Sequence, residues 1–310
     1  MPGKEIPQQT IRHLIKSLSR WMRDVWNTDE FASAVAQDSS NMAKIVGWAA
    51  VVFLLGVYFE TTMWQGLITL DMALNSVDDM YAGCEDKMEH KVRTEFLLNE
   101  KNQNKNFSLA WNEAVKYYNK KWRPKHGKAP TRTLTKEEIM AIYVYTMDKP
   151  KVYAEFNDAV RTQKMKYKTT FKYHTLHFFL TSALKKLSTH RGTLKRCLTG
   201  YRRVNSYFSQ DVLNKQIRFG SFTSSSMLGY QHPNRFGDET CFELSTCFGA
   251  DISLYSKFGE AEAEVLIPPY EAFKVTQINR RSEQKKLPCD VVFKLKSTQK
   301  AISNLNCAFF

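Results

Sequence analysis

Two glutamates separated by one alanine, Glu262 and Glu264, come directly before an apolar run and a pair of prolines, Val265–Pro269. In an extended chain, residues i and i+2 lie on the same face, so the two carboxylates are predicted to point the same way. Carboxylates this close repel each other, and at least one is expected to have a raised pKa unless a cation or a hydroxyl compensates. The pair is therefore a candidate for carboxylate chemistry, although a solvated acidic turn would have the same sequence.

Two further segments carry polar groups on predicted strands. Arg202 lies within the strand-like run Thr199–Val204, and Ser224 lies among the hydroxyls that end the run Arg218–Ser226. Taken separately, a salt-bridged strand arginine and a serine-rich turn explain these residues without any function. Their order along the chain, a cation followed by hydroxyls and then by paired acids, is more specific than any one of them.

The elements that must position these groups change in character along the chain. Residues 66–184 are predicted to be mostly helical, and Thr135 followed by Glu138 has the arrangement of a capping box. After Gly192 the chain consists of short β-rich runs separated by glycine, proline and asparagine. The helices are predicted at Lys136–Asp148, Val152–Thr162 and Phe171–Leu187, and the strands at Leu198–Val204, Ile217–Ser224, Thr240–Thr246, Ala263–Ile267, Ala272–Asn279 and Val291–Lys296.

Helices followed by strands predict an α+β domain rather than a parallel, doubly wound sheet. No glycine-rich phosphate loop follows a strand, which excludes the Rossmann and P-loop routes to nucleotide binding.

The composition indicates a folded chain with an anionic partner. Of the 310 residues, 43% are hydrophobic, and 45 basic against 31 acidic side chains give a net charge of +14. Twelve of the cations lie between residues 159 and 210, where there is no acid. A solvated basic face explains this run, and nucleic acid, acidic membrane, acidic glycan and a phosphate-bearing ligand are all compatible with the charge. The spacing is not that of a helix-turn-helix or a zinc finger, so no specific nucleic-acid site is predicted.

Six cysteines, at positions 84, 197, 241, 247, 289 and 307, are spread over more than 220 residues. They form no CxxC pair and have no histidine at zinc-ligand spacing, so no metal site is predicted. An even number of widely spaced cysteines fits disulfides formed in an oxidising compartment. Arithmetic alone leaves fifteen pairings open.

An uncharged stretch of fifteen residues, 45–59, precedes the predicted domain. It is shorter than the roughly 20 residues of a membrane-spanning helix but long enough for the hydrophobic part of a signal peptide. With Met42 as the start it is typical of a signal peptide, and with Met1 as the start it favours an uncleaved signal anchor. A buried globular helix is the third interpretation.

The predicted organisation is an N-terminal extension or cytoplasmic tail at 1–44, a signal peptide or signal anchor at 45–62, and a single domain at 63–310. The domain is expected to be extracellular, either secreted or held at the cell surface. The last residues, 306–310, contain no hydrophobic tail, so no C-terminal lipid anchor is predicted. Asn106 begins the one N-glycosylation triplet, in a stretch that is predicted to be a loop.

Taken together and in order, these motifs resemble the arginine-specific mono-ADP-ribosyltransferase family, the secreted and cell-surface vertebrate type related to several bacterial toxins. The resemblance covers residues 70–307. It rests on the Tyr-Arg, Phe-Thr-Ser-Ser-Ser and Glu-x-Glu motifs and on the upstream segments 75–84, 141–146, 155–161 and 176–181.

The resemblance implies a fold in which a helical N-terminal portion packs on a two-sheet β core, with NAD in the cleft between the sheets. It implies that Arg202 contacts the pyrophosphate and that Ser224 orients Glu264 or the ribose. Glu264 would bind the nicotinamide ribose and stabilise the cation formed when the nicotinamide bond breaks. Glu262 would hold the incoming arginine guanidinium and assist removal of its proton.

Other implications of the resemblance concern the surroundings of these four residues. Tyr145 matches a tyrosine associated with NAD, and Phe236 matches an aromatic residue that stacks on nicotinamide, although core or loop packing would also explain either one. Many members have glycine after the functional arginine, whereas this chain has Arg203, a bulky cation that would alter affinity.

The resemblance also selects two disulfides, Cys84–Cys307 and Cys197–Cys247. It leaves Cys241 and Cys289 as either a third bridge, which we favour, or two thiols.

The resemblance implies an enzyme that transfers ADP-ribose from NAD to arginine side chains of proteins and releases nicotinamide. It implies no metal, a monomer, and NAD and an arginine-bearing protein as partners, with membrane contact through residues 45–59. An NAD glycohydrolase is the alternative within the enzyme class, and the complete Glu-x-Glu motif disfavours it. A catalytically silent surface protein on the same scaffold, and a basic protein that binds heparan or nucleic acid, are the alternatives outside it.

Overall fold

The computed structural model describes residues 67–122, 133–189 and 197–310. The predicted segments 1–44 and 45–62 lie outside the described residues, and so does the apolar run 45–59 within them. In the described part of the chain, no helix is long and apolar enough to cross a membrane.

The first half of the described chain is helical, as predicted. The helices are α1 (Glu85–Lys91), α2 (Leu97–Gln103), which a π-helical turn (Val92–Phe96) joins to α1, α3 (Lys105–Lys121), α4 (Lys136–Thr146), α5 (Val152–Thr162) and α6 (His174–Thr189). The predicted bounds of α5 are confirmed. Asn106 lies in the first turn of α3 rather than in the predicted loop, and its side chain is exposed.

Helix α4 is buried along most of its length. Its N-terminus has the predicted capping box, in which Thr135 Oγ1 accepts from the Glu138 backbone N–H and the Glu138 carboxylate accepts from the Thr135 N–H. Every residue from Glu138 to Thr146 is buried, and α4 packs against α3 and α6. A helix that is apolar on all sides belongs inside a protein. The burial of α4 carries Tyr145, near its C-terminus, into the interior.

The second half of the described chain forms an eight-stranded sheet. The strands are β1 (Leu198–Val204), β2 (Gln216–Ile217), β3 (Thr223–Ser226), β4 (Thr240–Thr246), β5 (Ala250–Asp251), β6 (Glu264–Ile267), β7 (Glu271–Arg280) and β8 (Val291–Ala301). Their order across the sheet is β2-β7-β8-β4-β1-β3-β6-β5, and β4 and β8 are parallel while the other neighbours are antiparallel. The predicted α+β class is confirmed.

The prediction of two sheets is wrong, because the described strands are hydrogen-bonded into one. The halves of the sheet meet where β1 pairs with β3 at a single register position, Tyr201 opposite Ser226. The strands approach closely there because Gly200 has no side chain: a Cβ atom on Gly200 would lie 2.9 Å from the Cβ atom of Ser225. One short pairing therefore makes continuous what would otherwise be two sheets.

Strand β6 lies between two hydrophobic cores. Leu266 packs in the core that contains the helices, whereas Val265 and Ile267 pack with Phe242 of β4 and Phe293 of β8. All four residues of β6 are buried, which explains why its sequence is continuously apolar after Glu264 rather than alternating. The core that contains Phe242 and Phe293 is therefore formed by residues from both halves of the sheet, although the halves are joined edge to edge.

A buried ion pair connects the beginning and the end of the described chain. Arg218 Nη1 lies 2.6 Å from Asp78 Oδ2, and both side chains have 0% exposure. Arg218 also donates to the carbonyl of Ile302, and Asp78 accepts from the backbone N–H groups of Asn304 and Leu305. These additional hydrogen bonds satisfy both charges, as a buried ion pair requires.

All six cysteines are paired. The bridges are Cys84–Cys307, Cys197–Cys247 and Cys241–Cys289. The two pairings implied by the family resemblance are confirmed, and the state of Cys241 and Cys289 is settled in favour of a third bridge. The first bridge covalently closes nearly the whole of the described chain.

Replacing Cys84 and Cys307 by serine is expected to lower the free energy of unfolding by about 2–5 kcal/mol, because this bridge restricts the unfolded chain over a separation of 223 residues. Replacing Cys197 and Cys247, which are 50 residues apart, should cost about 1 kcal/mol less. Urea unfolding of the oxidised proteins measures both losses. A larger loss for the shorter loop would contradict the entropic explanation.

Candidate active site

A cavity of about 540 Å³ lies beside the joint between β1 and β3. The short helix α7 (Pro233–Phe236) and the turn before β6 also contribute to its lining. Every side chain that the sequence singled out lines this cavity: Tyr145, Arg202, Ser224, Phe236, Glu262 and Glu264. The structure thus brings together residues that are far apart along the chain, while the role of each one stays a prediction.

The antiparallel pairing of β3 with β6 places the hydroxyl motif beside the acidic motif. Ser226 lies opposite Glu264 in the register of the two strands. Ser226 Oγ donates to the carbonyl of Glu262 over 2.8 Å, and the Met227 N–H donates to the carbonyl of Ala263 over 3.0 Å. These bonds hold the turn that carries both glutamates against the end of β3.

The assumption that the two glutamates share an extended strand is wrong. Glu262 ends a 3₁₀ turn (Gly259–Ala261) with helical dihedral angles, φ −100° and ψ −15°, and β6 begins only at Glu264. Between them Ala263 has a φ of +40°, a left-handed conformation that costs a residue with a side chain about 1–2 kcal/mol. Both carboxylates line the cavity because the chain turns at Ala263, not because residues i and i+2 share a face.

The carboxyl group of Glu264 is buried in the wall of the cavity, with 6% of the residue exposed. Desolvation raises its pKa from 4.5 to about 7, and the neighbouring charge of Glu262 acts in the same direction. A hydrogen bond from Ser224 and the positive charge of Arg202 oppose this rise. One of the two acids therefore has a raised pKa, as predicted, but burial rather than repulsion is the main cause.

Arg202 brings a positive charge on a partly buried side chain to the same cavity. Its Nη1 donates to the carbonyl of Ser224 over 2.9 Å, which fixes the guanidinium beside β3. Burial lowers the pKa of Arg202, while the neighbouring Tyr145 and Glu264 raise it. A guanidinium remains protonated at physiological pH, so the cavity holds a permanent cation that suits an anionic ligand.

Tyr145 joins α4 to the strand motif. Its hydroxyl donates to the carbonyl of Phe222 over 3.0 Å and accepts from Asn157 Nδ2 over 3.0 Å, and burial raises the pKa of Tyr145 to about 12. Asn157 was not predicted as a site residue, although it lies in a segment that resembles the family. Its Oδ1 atom is buried in the cavity lining and finds no hydrogen-bond partner among the described residues.

Helix α7 brings Phe236 and an unpredicted arginine to the cavity. Arg235 Nη1 lies 3.2 Å from Glu262 Oε1. The helix is bounded by two residues with positive φ, His232 (54°) and Gly237 (77°). No motif in the sequence distinguishes Arg235 from the other exposed cations, because its ion pair depends on the path of the turn that carries Glu262.

Arg203 holds the segment that carries α7. Its Nε donates to the carbonyl of Tyr230 over 3.3 Å, and its Nη1 donates to the carbonyl of Gly237 over 3.1 Å and contacts Cys289 Sγ at 3.6 Å. The guanidinium thus binds both ends of the segment 230–237. The departure from glycine at this position has a structural consequence, which is a side-chain clamp between β1 and the segment that carries α7.

Replacing Arg203 by glycine is expected to increase backbone hydrogen exchange in residues 230–237, because two hydrogen bonds to this segment are lost. Hydrogen exchange followed by mass spectrometry measures the change. Arg280→Gly removes another strand arginine, one that bonds Gln210, and serves as the matched control. Unchanged exchange in 230–237 in the Arg203 variant would contradict the clamp.

The raised pKa of Glu264 has a consequence for stability. Between pH 4.5 and about 7 the folded protein retains a proton at Glu264 that the unfolded chain has lost, so the free energy of unfolding falls as the pH rises through this range. Glu264→Gln should therefore be more stable than the wild type by about 3 kcal/mol at pH 8, and equally stable near pH 4.

Urea unfolding at both pH values measures this difference for Glu264→Gln. Glu260→Gln removes an exposed acid from the neighbouring turn and is the control, with no comparable gain expected at pH 8. A gain that is equal at pH 4 and pH 8 would show that protonation is not its cause.

The described residues contain no cluster of three or more histidine, cysteine, aspartate or glutamate side chains that could hold a metal ion. The charged side chains that line the cavity are those of Lys151, Arg202, Arg203, Arg235, Asp148, Glu262 and Glu264, and hydroxyl groups and Asn157 line it as well.

Comparison with known proteins identifies the family to which the chain is similar. The profile of the family described as NAD:arginine ADP-ribosyltransferase matches residues 70–299. The chain is 36% identical over 211 residues to NAD(P)(+)–arginine ADP-ribosyltransferase 1 of Gallus gallus, covering 67% of this chain and 64% of that protein. It is 34% identical over 274 residues to ecto-ADP-ribosyltransferase 5 of Homo sapiens, covering 84% of this chain and 88% of that protein. The chain thus spans just under two thirds of the length of the chicken relative.

The fold also matches solved structures. The crystal structure of the eucaryotic mono-ADP-ribosyltransferase ART2.2 superposes with a TM-score of 0.60 at 30% identity, over 78% of this chain and 100% of that chain. Variants of ART2.2 have been solved in complex with NADH and with NAD. The chain belongs to the NAD:arginine ADP-ribosyltransferase family, and the predicted resemblance is confirmed.

Proposed function

We propose that this protein transfers ADP-ribose from NAD or NADP to arginine side chains of other proteins and releases nicotinamide. The observation that carries the proposal is the convergence of Arg202, Ser224, Glu262 and Glu264 on one cavity. Family membership supports the same reaction, since the matched profile is that of NAD:arginine ADP-ribosyltransferases.

The cavity suits a dinucleotide with an anionic pyrophosphate and hydrogen-bonding sugars. Its volume, about 540 Å³, is in the usual range for a ligand site. Arg202 has further N–H groups beside the one bound to Ser224 and would contact phosphate oxygens. Asn157 Oδ1, which has no partner among the described residues, would accept a hydrogen bond from the ligand. Phe236 is 38% exposed and would offer a ring face to nicotinamide, and Tyr145 would line the same cavity.

The first chemical step is cleavage of the bond between nicotinamide and ribose. The bonding electrons leave with nicotinamide, and positive charge develops on the ribose as in glycoside cleavage. Glu264, desolvated and with a pKa near 7, is the group best placed to stabilise that charge. The positively charged nicotinamide ring favours the ionised carboxylate when NAD binds. Ser224 would hold the Glu264 carboxylate in place through its hydroxyl.

The second step joins the ribose to a guanidinium nitrogen of the acceptor. The guanidinium must lose a proton that it holds with a pKa above about 12, so a carboxylate has to lie in contact with it. Glu262 suits this task because its side chain is 26% exposed at the edge of the cavity, where an arginine of another protein can reach it. Glu264 would therefore act in the first step and Glu262 in the second.

We also propose that the enzyme works outside the cytosol. Its three disulfides use all six cysteines, which fits an oxidising compartment. Residues 45–62 would direct export as a signal peptide or remain as an anchor in the membrane. The side chain of Asn106 is exposed and so is accessible for glycosylation.

Incubation with labelled NAD and agmatine, an arginine mimic, tests the reaction. Glu264→Gln is expected to reduce both agmatine modification and nicotinamide release at least about a hundredfold, because the stabilising charge is lost. Glu262→Gln should reduce agmatine modification to a similar extent while retaining part of the nicotinamide release, since water can still react.

Glu260→Gln, in the same turn, is the matched control and should behave as the wild type. Unaffected agmatine modification in Glu262→Gln would refute the division of labour. Nicotinamide release without modified agmatine in the wild type would instead identify an NAD glycohydrolase.

A further inference from the structure

The guanidinium of Arg235 contacts Glu262, the acid that binds the acceptor arginine in the proposed function. Its Nη1 lies 3.2 Å from Glu262 Oε1. Its guanidinium carbon lies 4.9 Å from the ring centre of Phe236 and 5.7 Å from that of Phe258. All four residues line the cavity. A carboxylate with two aromatic rings nearby is a binding site for any arginine side chain, whether it belongs to this chain or to another.

We propose that Arg235 is a resident competitor for the acceptor site, and that it occupies in the free protein the position at Glu262 that the acceptor guanidinium takes during transfer. The inference rests on the proposed role of Glu262. A carboxylate oxygen engaged by one guanidinium is not available to a second in the same position, so the acceptor must displace Arg235. Arg235 thereby sets a threshold of affinity, which favours acceptors whose neighbouring residues make additional contacts.

The contact has the features of one that can be exchanged. The side chains of Arg235 and Glu262 are 52% and 26% exposed, so solvent screens their attraction. Arg235 lies in a helix of four residues, and rotation of its side chain would not disturb the sheet. Arg202, in contrast, is partly buried and donates to the backbone of β3, so its guanidinium is held in place.

The strength of the contact predicts the size of the effect. An exposed ion pair together with cation–π contacts corresponds to a competition of about three- to thirtyfold in acceptor affinity. Removing the Arg235 guanidinium should therefore tighten acceptor binding by that factor. Lysine, which keeps the charge but lacks the planar fork, should give a smaller gain.

Binding of agmatine to the full-length protein without NAD, measured by saturation-transfer NMR, tests the proposal. Arg235→Gln is expected to lower the Kd for agmatine about three- to thirtyfold, and Arg235→Lys by less. The double variant Arg235→Gln with Glu262→Gln should lose the gain. Arg281→Gln is the matched control, because Arg281 also forms ion pairs, with Asp238 and Asp290, but does not line the cavity.

An unchanged Kd in Arg235→Gln overturns the proposal, and so does a gain that survives in the double variant. Melting temperatures establish whether each variant is folded. If Arg235→Gln does not fold, Arg235→Lys provides the second measurement. The assay contains no NAD and requires no catalysis. Failure to transfer ADP-ribose would therefore contradict the proposed function without changing the outcome of this experiment.

Discussion

The antiparallel pairing of β3 with β6 is the constraint on which the whole cavity depends. It places the hydroxyl motif beside the acidic motif, with Ser226 opposite Glu264, and it holds the turn that carries Glu262. Because β6 is buried between two cores, its first residue enters the protein interior, and the carboxyl group of Glu264 is desolvated there. The raised pKa of Glu264 is thus a consequence of where β6 begins.

Much of the architecture could be predicted because it is encoded locally. Helix α5 and strands β1 and β4 have the predicted bounds, and the capping box of Thr135 is present. Short motifs and turn residues act within a few positions of the chain, so they can be recognised without knowing the fold. That the candidate side chains meet was expected only from the resemblance to a family, since no spacing along the chain indicates which strands are neighbours.

The errors arose where contacts between distant residues decide the structure. The single sheet depends on the close approach of Gly200 to Ser225, which no local pattern indicates. Ala263 adopts its left-handed conformation where Ser226 and Met227 donate hydrogen bonds to the turn, so the alternation of a strand does not extend back to Glu262. The contacts of Arg203 and Arg235 were not predicted for the same reason. The partners of a long cationic side chain are known only once the fold has brought them close.

The bridge between Cys84 and Cys307 has a mechanical consequence. The buried pair of Asp78 and Arg218 reinforces the same junction, where the two ends of the described chain meet. Tension applied to the chain outside this junction is transmitted from one end to the other through a covalent link. The sheet and the cavity lie inside the closed loop and bear none of that load, so pulling on the two ends of the described chain would leave the geometry of the cavity undistorted.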